Sequence, residues 1–201
     1  MHTAKSAAVV VAEGPVVFEL VVRGGTVVDG TGSAAFTADV GVSRDGKIAA
    51  VGSGLGKGAR EVDARGMLVC PGFVDVHSHY DGQASWDDLL APSIWHGVTT
   101  TIFGNCGVGF APVRPGRAAA KYLLDLMEGV EDIPGTVLDE GIEWGAWETF
   151  GQYLDHLEKI PRTMDVGCLL PHGCVRTYVM GERGGDHFER PTETELKQMR
   201  A

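Results

Sequence analysis

The most constraining feature of this sequence is a pattern that begins near residue 67. Short apolar runs alternate with segments of helical periodicity, and each run ends on residues that can bind a ligand or move a proton. Met67-Leu68-Val69-Cys70-Pro71-Gly72-Phe73-Val74-Asp75-Val76 closes on His77-Ser78-His79. Val98-Thr99-Thr100-Thr101-Ile102-Phe103 closes on Gly104-Asn105-Cys106-Gly107. Val166-Gly167-Cys168-Leu169-Leu170 closes on Pro171-His172-Gly173. Strands alternating with helices predict βα units and a parallel sheet. Reactive groups at the C-terminal ends of parallel strands lie where a (β/α)8 barrel builds its active site.

The segments between the runs read as follows. Asp87 to His96 predicts a short helix. Arg117 to Val130 predicts an amphipathic helix with Ala118, Tyr122, Leu123 and Leu126 on its buried face. Residues 131–146 predict a Gly/Pro/Asp loop. Trp147 to Ile160 predicts a second helix, with Phe150, Tyr153, Leu154 and Leu157 at helical spacing and Pro161 ending it. Pro191 to Leu196 predicts a helix start in which Thr192 and Glu195 are spaced as a capping box.

Upstream, residues 16–66 predict β structure. Val16 to Val22 is rich in β-branched residues, Gly24-Gly25 interrupts it and Thr26-Val27-Val28 resumes it. Asp29-Gly30-Thr31-Gly32 is a turn signal. Asp45-Gly46 is the dipeptide preferred in a type I′ hairpin, with Ile48 to Gly52 as the return strand. Close-spaced short strands of this kind predict a small antiparallel sheet or sandwich. Residues 1–15 are expected to form a loose extension, 16–66 the β-sandwich strands, and 67–201 the N-terminal part of an α/β barrel.

Composition sets the outer limits. Hydrophobic residues are 44% and charged residues 22%, the balance of a soluble globular chain. With 17 Lys+Arg against 27 Asp+Glu the net charge is −10, which argues against a nucleic-acid backbone or an anionic membrane surface as partner. Gly supplies 29 of 201 residues, so turns are frequent. Lys5 followed by Ala7 to Ala12 faintly resembles a secretory signal, but its apolar run of six residues is shorter than the ~7–15 such a signal needs. No uninterrupted apolar stretch reaches the ~20 residues that cross a bilayer. Four irregularly spaced cysteines do not make a disulfide framework, and they predict reduced thiols in the cytoplasm.

The strongest candidate site is His77-x-His79. Side chains at i and i+2 of a strand point the same way, so both imidazoles can face one metal ion. An isolated HxH is as readily two polar loop histidines. Asp75 and Asp81 lie nearby as acceptors for the imidazole N–H groups behind the metal. Cys106 is the second candidate: a thiolate is a strong zinc ligand, although a single Cys is more often a small buried hydrophobe. The remaining signals are weaker. His172 could contact substrate or metal, or be a structural loop histidine. His96 marks a helix end. His2, His156 and His187 read as exposed, and Cys70, Cys168 and Cys174 as packing residues. Glu128, Glu131 and Asp132 read as a solvated acidic face. Gly107-x-Gly109 lacks the third glycine and the acidic partner of a dinucleotide fingerprint.

Several of these stretches are familiar together. Val22-Arg23-Gly24-Gly25-Thr26-Val27-Val28-Asp29-Gly30-Thr31-Gly32 resembles the opening of many amidohydrolase-superfamily enzymes, and Pro71 to Asp81 resembles their first barrel strand. Trp95-His96-Gly97-Val98-Thr99-Thr100, Gly104-Asn105-Cys106-Gly107 and Gly141-Ile142-Glu143-Trp144, followed by Phe150 and Tyr153-Leu154, narrow the resemblance to the N-acyl-D-amino-acid deacylases (D-aminoacylases). It runs from about residue 19 to about residue 183, and Asn-Cys-Gly is its most specific part.

The resemblance implies a small β-sandwich domain and a metal-dependent (β/α)8 barrel. It implies Zn2+ bound partly through Cys106 in one tight site, with His77 and His79 serving a possible second, weaker one. Asn105 and His172 would lie near the substrate, a small N-acyl amino acid. The implied reaction is hydrolysis of an N-acyl-D-amino acid to a carboxylate and a free D-amino acid. Zinc would polarise the acyl carbonyl and lower the pKa of a bound water, and an aspartate would carry the proton to the leaving amine. The family takes two further metal histidines and that aspartate from later strands, and the aspartate is expected beyond residue 201. A full barrel takes ~250 residues, so residues 67–201 predict a truncated barrel that is inactive alone. Two alternatives stay open: a dihydropyrimidinase- or hydantoinase-like cyclic amidase, against which Cys106 weighs, and a non-catalytic protein retaining the fold.

Overall fold

The computed structural model describes residues 9–11 and 17–201. The chain divides into two compact units, Met1–Pro71 and Gly72–Ala201.

The first unit is a six-stranded mixed sheet built from β1 (Val9–Val11), β2 (Phe18–Val27), β3 (Phe36–Val42), β4 (Ile48–Gly52), β5 (Gly58–Asp63) and β6 (Leu68–Val69). The strand order is β1-β5-β2-β3-β4, with β6 also paired to β2. β2 pairs antiparallel with β3 but parallel with β5 and β6, so the expected antiparallel sheet is mixed. Val9–Val11 pairs antiparallel with Arg60–Val62, where a loose extension was expected; the rest of residues 1–15 lies outside the described residues. One extra residue sits in β2 between Val22 and Gly25, opposite Val40 and Ala38. Gly24 has φ +63°, a conformation that costs glycine little and makes the bulge possible. The β3–β4 connection spans Ser43–Lys47 and contains a Gly46 N to Ser43 O bond of 3.0 Å. Only Gly46 of that loop has positive φ, so it is not the two-residue type I′ turn that Asp-Gly suggested. Val27, Ala38 and Val40 form the core of this sheet.

The second unit holds a parallel sheet of β7 (Phe73–Asp75), β8 (Val98–Phe103) and β9 (Asp165–Cys168) in the order β7-β8-β9. Helices α1 (Arg117–Glu131), α2 (Gly135–Gly141) and α3 (Phe150–Glu158) connect β8 to β9, and α4 (His172–Met180) and α5 (Glu193–Arg200) follow. The strand–helix alternation therefore gives α/β structure with parallel strands. Leu123 and Met127 of α1 and Tyr153 and Leu157 of α3 are buried with Leu90, Phe103, Phe110 and Leu138 in one core. Tyr122 and Leu126 are half-buried, while Leu154 is exposed and does not join the core.

Four local expectations are corrected. The short helix expected over 87–96 is replaced by 3-10 turns at Gln83–Ser85 and Ser93–His96. The loop expected over 131–146 contains α2, whose Leu138 seats in the core. The helix expected from Trp147 starts at Phe150, because Thr149 and Gln152 form a capping box there. The run before His77 is not buried: Phe73, Val74 and Val76 are exposed, since β7 has a neighbour on one side only. Cys70 is likewise exposed, whereas Cys174 is buried and Cys168 half-buried. The Thr192–Glu195 capping box is present at α5. No helix among the described residues is long and apolar enough to cross a membrane.

Candidate metal centre

The loop after β7 presents its two histidines because the residue between them is tied the other way. Ser78 N donates to Ile102 O at 2.9 Å, and its Oγ lies 2.6 Å from Thr101 Oγ1 and 3.1 Å from Ile102 O. Thr101 is fully buried, so this anchor is shielded from water. His77 and His79 face together, with ring centroids 5.6 Å apart.

The loop after β8 carries Cys106. Gly104, Cys106 and Gly107 all have positive φ, at +81°, +57° and +76°. A Cβ on Gly104 would meet Leu169 O at 2.1 Å, so only glycine fits where this loop crosses the end of β9. Cys106 is the strained member, since a side chain in the left-handed region costs ~1–2 kcal/mol. Asn105 Nδ2 donates to Ile102 O at 3.1 Å. The same carbonyl thus holds both the histidine loop and the cysteine loop.

These anchors bring His77 Nε2 to 3.0 Å from Cys106 Sγ. One ligand atom each from His77, His79 and Cys106 lie within 4.8 Å of one another. Two imidazoles and a thiol at that spacing match the N/S donor preference of zinc. The donor chemistry therefore fits the metal that the sequence suggested.

Asp81 is 1% exposed and approaches the other side of His79, with Oδ2 3.8 Å from Nδ1. Neither atom has a hydrogen-bond partner. Burial is the main cause that pushes the Asp81 carboxyl up to about 7; the Glu131 charge adds to this, and the Asp81 and Gly104 amides oppose it. Tyr153 Oη donates to Asp81 O at 2.6 Å, tying α3 to this loop. Asp75 takes a different part: its Oδ1 accepts from the backbone N of His77 at 3.1 Å, not from an imidazole.

His172 is the first residue of α4 and is exposed. It does not join the three-donor group, but with Cys106 it borders a cavity of about 230 Å³ also lined by Tyr122, Arg176 and His187. Asn105 has its amide nitrogen committed to the loop. His156 is half-buried against Trp147 rather than exposed, with ring centroids 5.0 Å apart.

One contact was missed from the sequence. Glu131 is not simply solvated: Oε1 lies 3.2 Å from His79 Nε2, and its side chain is 25% exposed. The available signal was position. An acidic residue at a helix C-terminus opposes the helix dipole and invites a reason for being there.

Known proteins share this arrangement of sequence and fold. A D-aminoacylase of Alcaligenes xylosoxydans xylosoxydans is 35% identical over 184 residues, covering 91% of this chain and 34% of that protein. A solved D-aminoacylase, described for a binuclear metal center with one-metal activation and second-metal attenuation, matches with TM-score 0.69 and 32% identity over 90% of this chain and 34% of its own. An N-acyl-D-glutamate deacylase from Bordetella bronchiseptica, solved with zinc and a phosphonate inhibitor, matches with TM-score 0.65 and 29% identity over the same shares. The chain thus spans about a third of the length of these relatives. Residues 60–201 match the sequence profile of the Amidohydrolase family, and the chain belongs to that family.

Proposed function

We propose that this chain carries the first metal ligands of a D-aminoacylase-like hydrolase that cleaves the amide of N-acyl-D-amino acids to a carboxylate and a free D-amino acid. The observation that carries the proposal is the convergence of His77, His79 and Cys106 donor atoms within 4.8 Å at the ends of two adjacent parallel strands. The three parallel strands are then the first of a (β/α)8 barrel, and the mixed sheet is the start of its accompanying β-sandwich domain. Cys106 takes the tighter zinc position, and His77 and His79 serve the weaker one.

A bound zinc ion supplies Lewis acidity toward an acyl carbonyl and acidifies water. The chain's own residues do the positioning. Ser78 and Asn105, through Ile102 O, hold the two ligand loops in register. Asp81 Oδ2 stands 3.8 Å behind His79 Nδ1, the position of a carboxylate that orients a metal-binding imidazole. His172 lines the cavity beside Cys106, which would receive part of the N-acyl amino acid.

Substrate and turnover are proposed for a polypeptide of the relatives' length, acting in the cytoplasm on a small molecule and not on nucleic acid or membrane. Metal analysis and an N-acyl-D-amino-acid assay test this on both the 201-residue chain and the longest natural polypeptide that contains it. The expected result is zinc in both and D-amino acid release only from the longer one. Exclusive hydrolysis of cyclic amides, or full activity in Cys106→Ser, would overturn the proposal.

A further inference from the structure

We propose that Glu131 is a further metal donor, completing the weaker position formed by His77 and His79. This rests on the metal-centre reading above and adds a residue to it.

Three observations lead there. Glu131 Oε1 lies 3.2 Å from His79 Nε2, while Asp81 Oδ2 lies 3.8 Å from Nδ1 of the same ring. Asp81, 1% exposed, has an Oδ2 with no partner aimed at the same imidazole. Two carboxylates therefore flank one histidine. Finally, Glu131 is the last residue of α1, where the helix dipole adds negative potential. Carboxylates, a helix C-terminus and an imidazole lone pair all favour a cation at this point.

The chemistry of the donors separates the two positions. Cys106 supplies a soft thiolate, and a site weighted toward thiolate selects zinc strongly. Two imidazoles and one carboxylate make a harder, weaker set that still suits zinc or cobalt. Glu131 comes from a helix rather than a strand-end loop, so the spacing of the strand-end motifs could not reveal it. Its exposed side lets the side chain turn toward the ion without disturbing the core.

The test is Co2+ titration of the 201-residue chain against a competing chelator, followed by absorption spectroscopy, for wild type, Glu131→Gln, Glu131→Asp and Cys106→Ser. Glu131→Gln should weaken Co2+ at the second position about 10-fold or more, in the range seen when a metal-site partner is removed. It should leave the thiolate-to-cobalt charge-transfer band unchanged, and Glu131→Asp should restore part of the affinity. Unchanged or tighter binding in Glu131→Gln overturns the inference, because Glu131 would then only hold His79. If wild type takes up no Co2+, or Cys106→Ser leaves the absorption unaltered, the metal-centre reading itself fails.

Discussion

His77 Nε2 and Cys106 Sγ lie 3.0 Å apart although 29 residues separate them in sequence. Both loops are moored to one backbone carbonyl, that of Ile102, which accepts from Ser78 N, Ser78 Oγ and Asn105 Nδ2. The donor set is thus fixed from the end of β8, where Thr101 and Phe103 are buried, rather than by the exposed loops themselves.

Ser78→Ala removes the 2.6 Å contact to Thr101 Oγ1 in a buried setting. The expected cost is about 1–2 kcal/mol of unfolding free energy. Metal affinity should fall with it, because His77 and His79 lose their common mooring. Urea unfolding and chelator competition, run on the same samples, check both. A stability loss with unchanged metal affinity would show that the backbone bond from Ser78 N suffices.

Cys106 and Gly104 make opposite predictions in one loop. Cys106→Gly removes a side chain from φ +57°, so it should be more stable than Cys106→Ser by about 1 kcal/mol while both lose the metal. Gly104→Ala places a Cβ 2.1 Å from Leu169 O at φ +81° and should lose well over about 1 kcal/mol. Thermal unfolding of the three variants orders them, and a stable Gly104→Ala would refute the packing described at the end of β9.

Tyr153→Phe deletes the donor that Asp81 O receives at 2.6 Å. The carbonyl is buried, so the loss should be about 1–3 kcal/mol. Because that carbonyl belongs to the residue behind His79, metal affinity should weaken too. Calorimetric metal titration distinguishes this from a purely global effect.

How much of this was legible in the sequence depends on what each residue reports. The Val98–Phe103 strand and the α1 and α3 periodicities follow from local patterns. His77 and His79 lie in the loop beyond β7, so the i, i+2 direction of a strand does not place them; their convergence with Cys106 comes from the contacts to Ile102 O. The α2 helix was hidden by flanking Pro and Gly, and only the burial of Leu138 reveals why it forms. The parallel pairing of β2 with β5 was not legible, since pairing partners are set by tertiary contacts and not by alternation. Glu131 was unreadable as a neighbour of His79 for the same reason: the contact joins a helix end to a loop 52 residues earlier.

Acid should loosen the first unit through Arg23. Its guanidinium contacts Asp39 Oδ2 at 3.1 Å and Glu61 Oε2 at 3.1 Å, and also Glu61 Oε1. Arg23 and the Gly58 amide hold the Glu61 carboxyl below its usual range. Burial opposes ionisation of Asp39, but donation from Gly24 N, Arg23 and Leu55 N outweighs it and lowers that carboxyl as well. Both folded-state values lie below the unfolded ones, ~3.9 for Asp and ~4.3 for Glu, so the stabilisation is present above about pH 4–5 and is lost as pH falls through the folded values. Arg23→Met should therefore cost about 1–3 kcal/mol at pH 7 and less at about pH 2.5, below both unfolded values. Urea unfolding at the two pH values reads the difference, and an equal cost at both would contradict the assignment.

The most direct measurement of the central claim is the absorption spectrum of the Co2+-loaded chain beside Cys106→Ser and the double variant His77→Ala/His79→Ala. The expected result is a near-ultraviolet thiolate-to-cobalt band in wild type that disappears in Cys106→Ser, with bound cobalt reduced in the histidine variant. Co2+ uptake in wild type no greater than in a chain lacking all three side chains would contradict a metal centre at His77, His79 and Cys106.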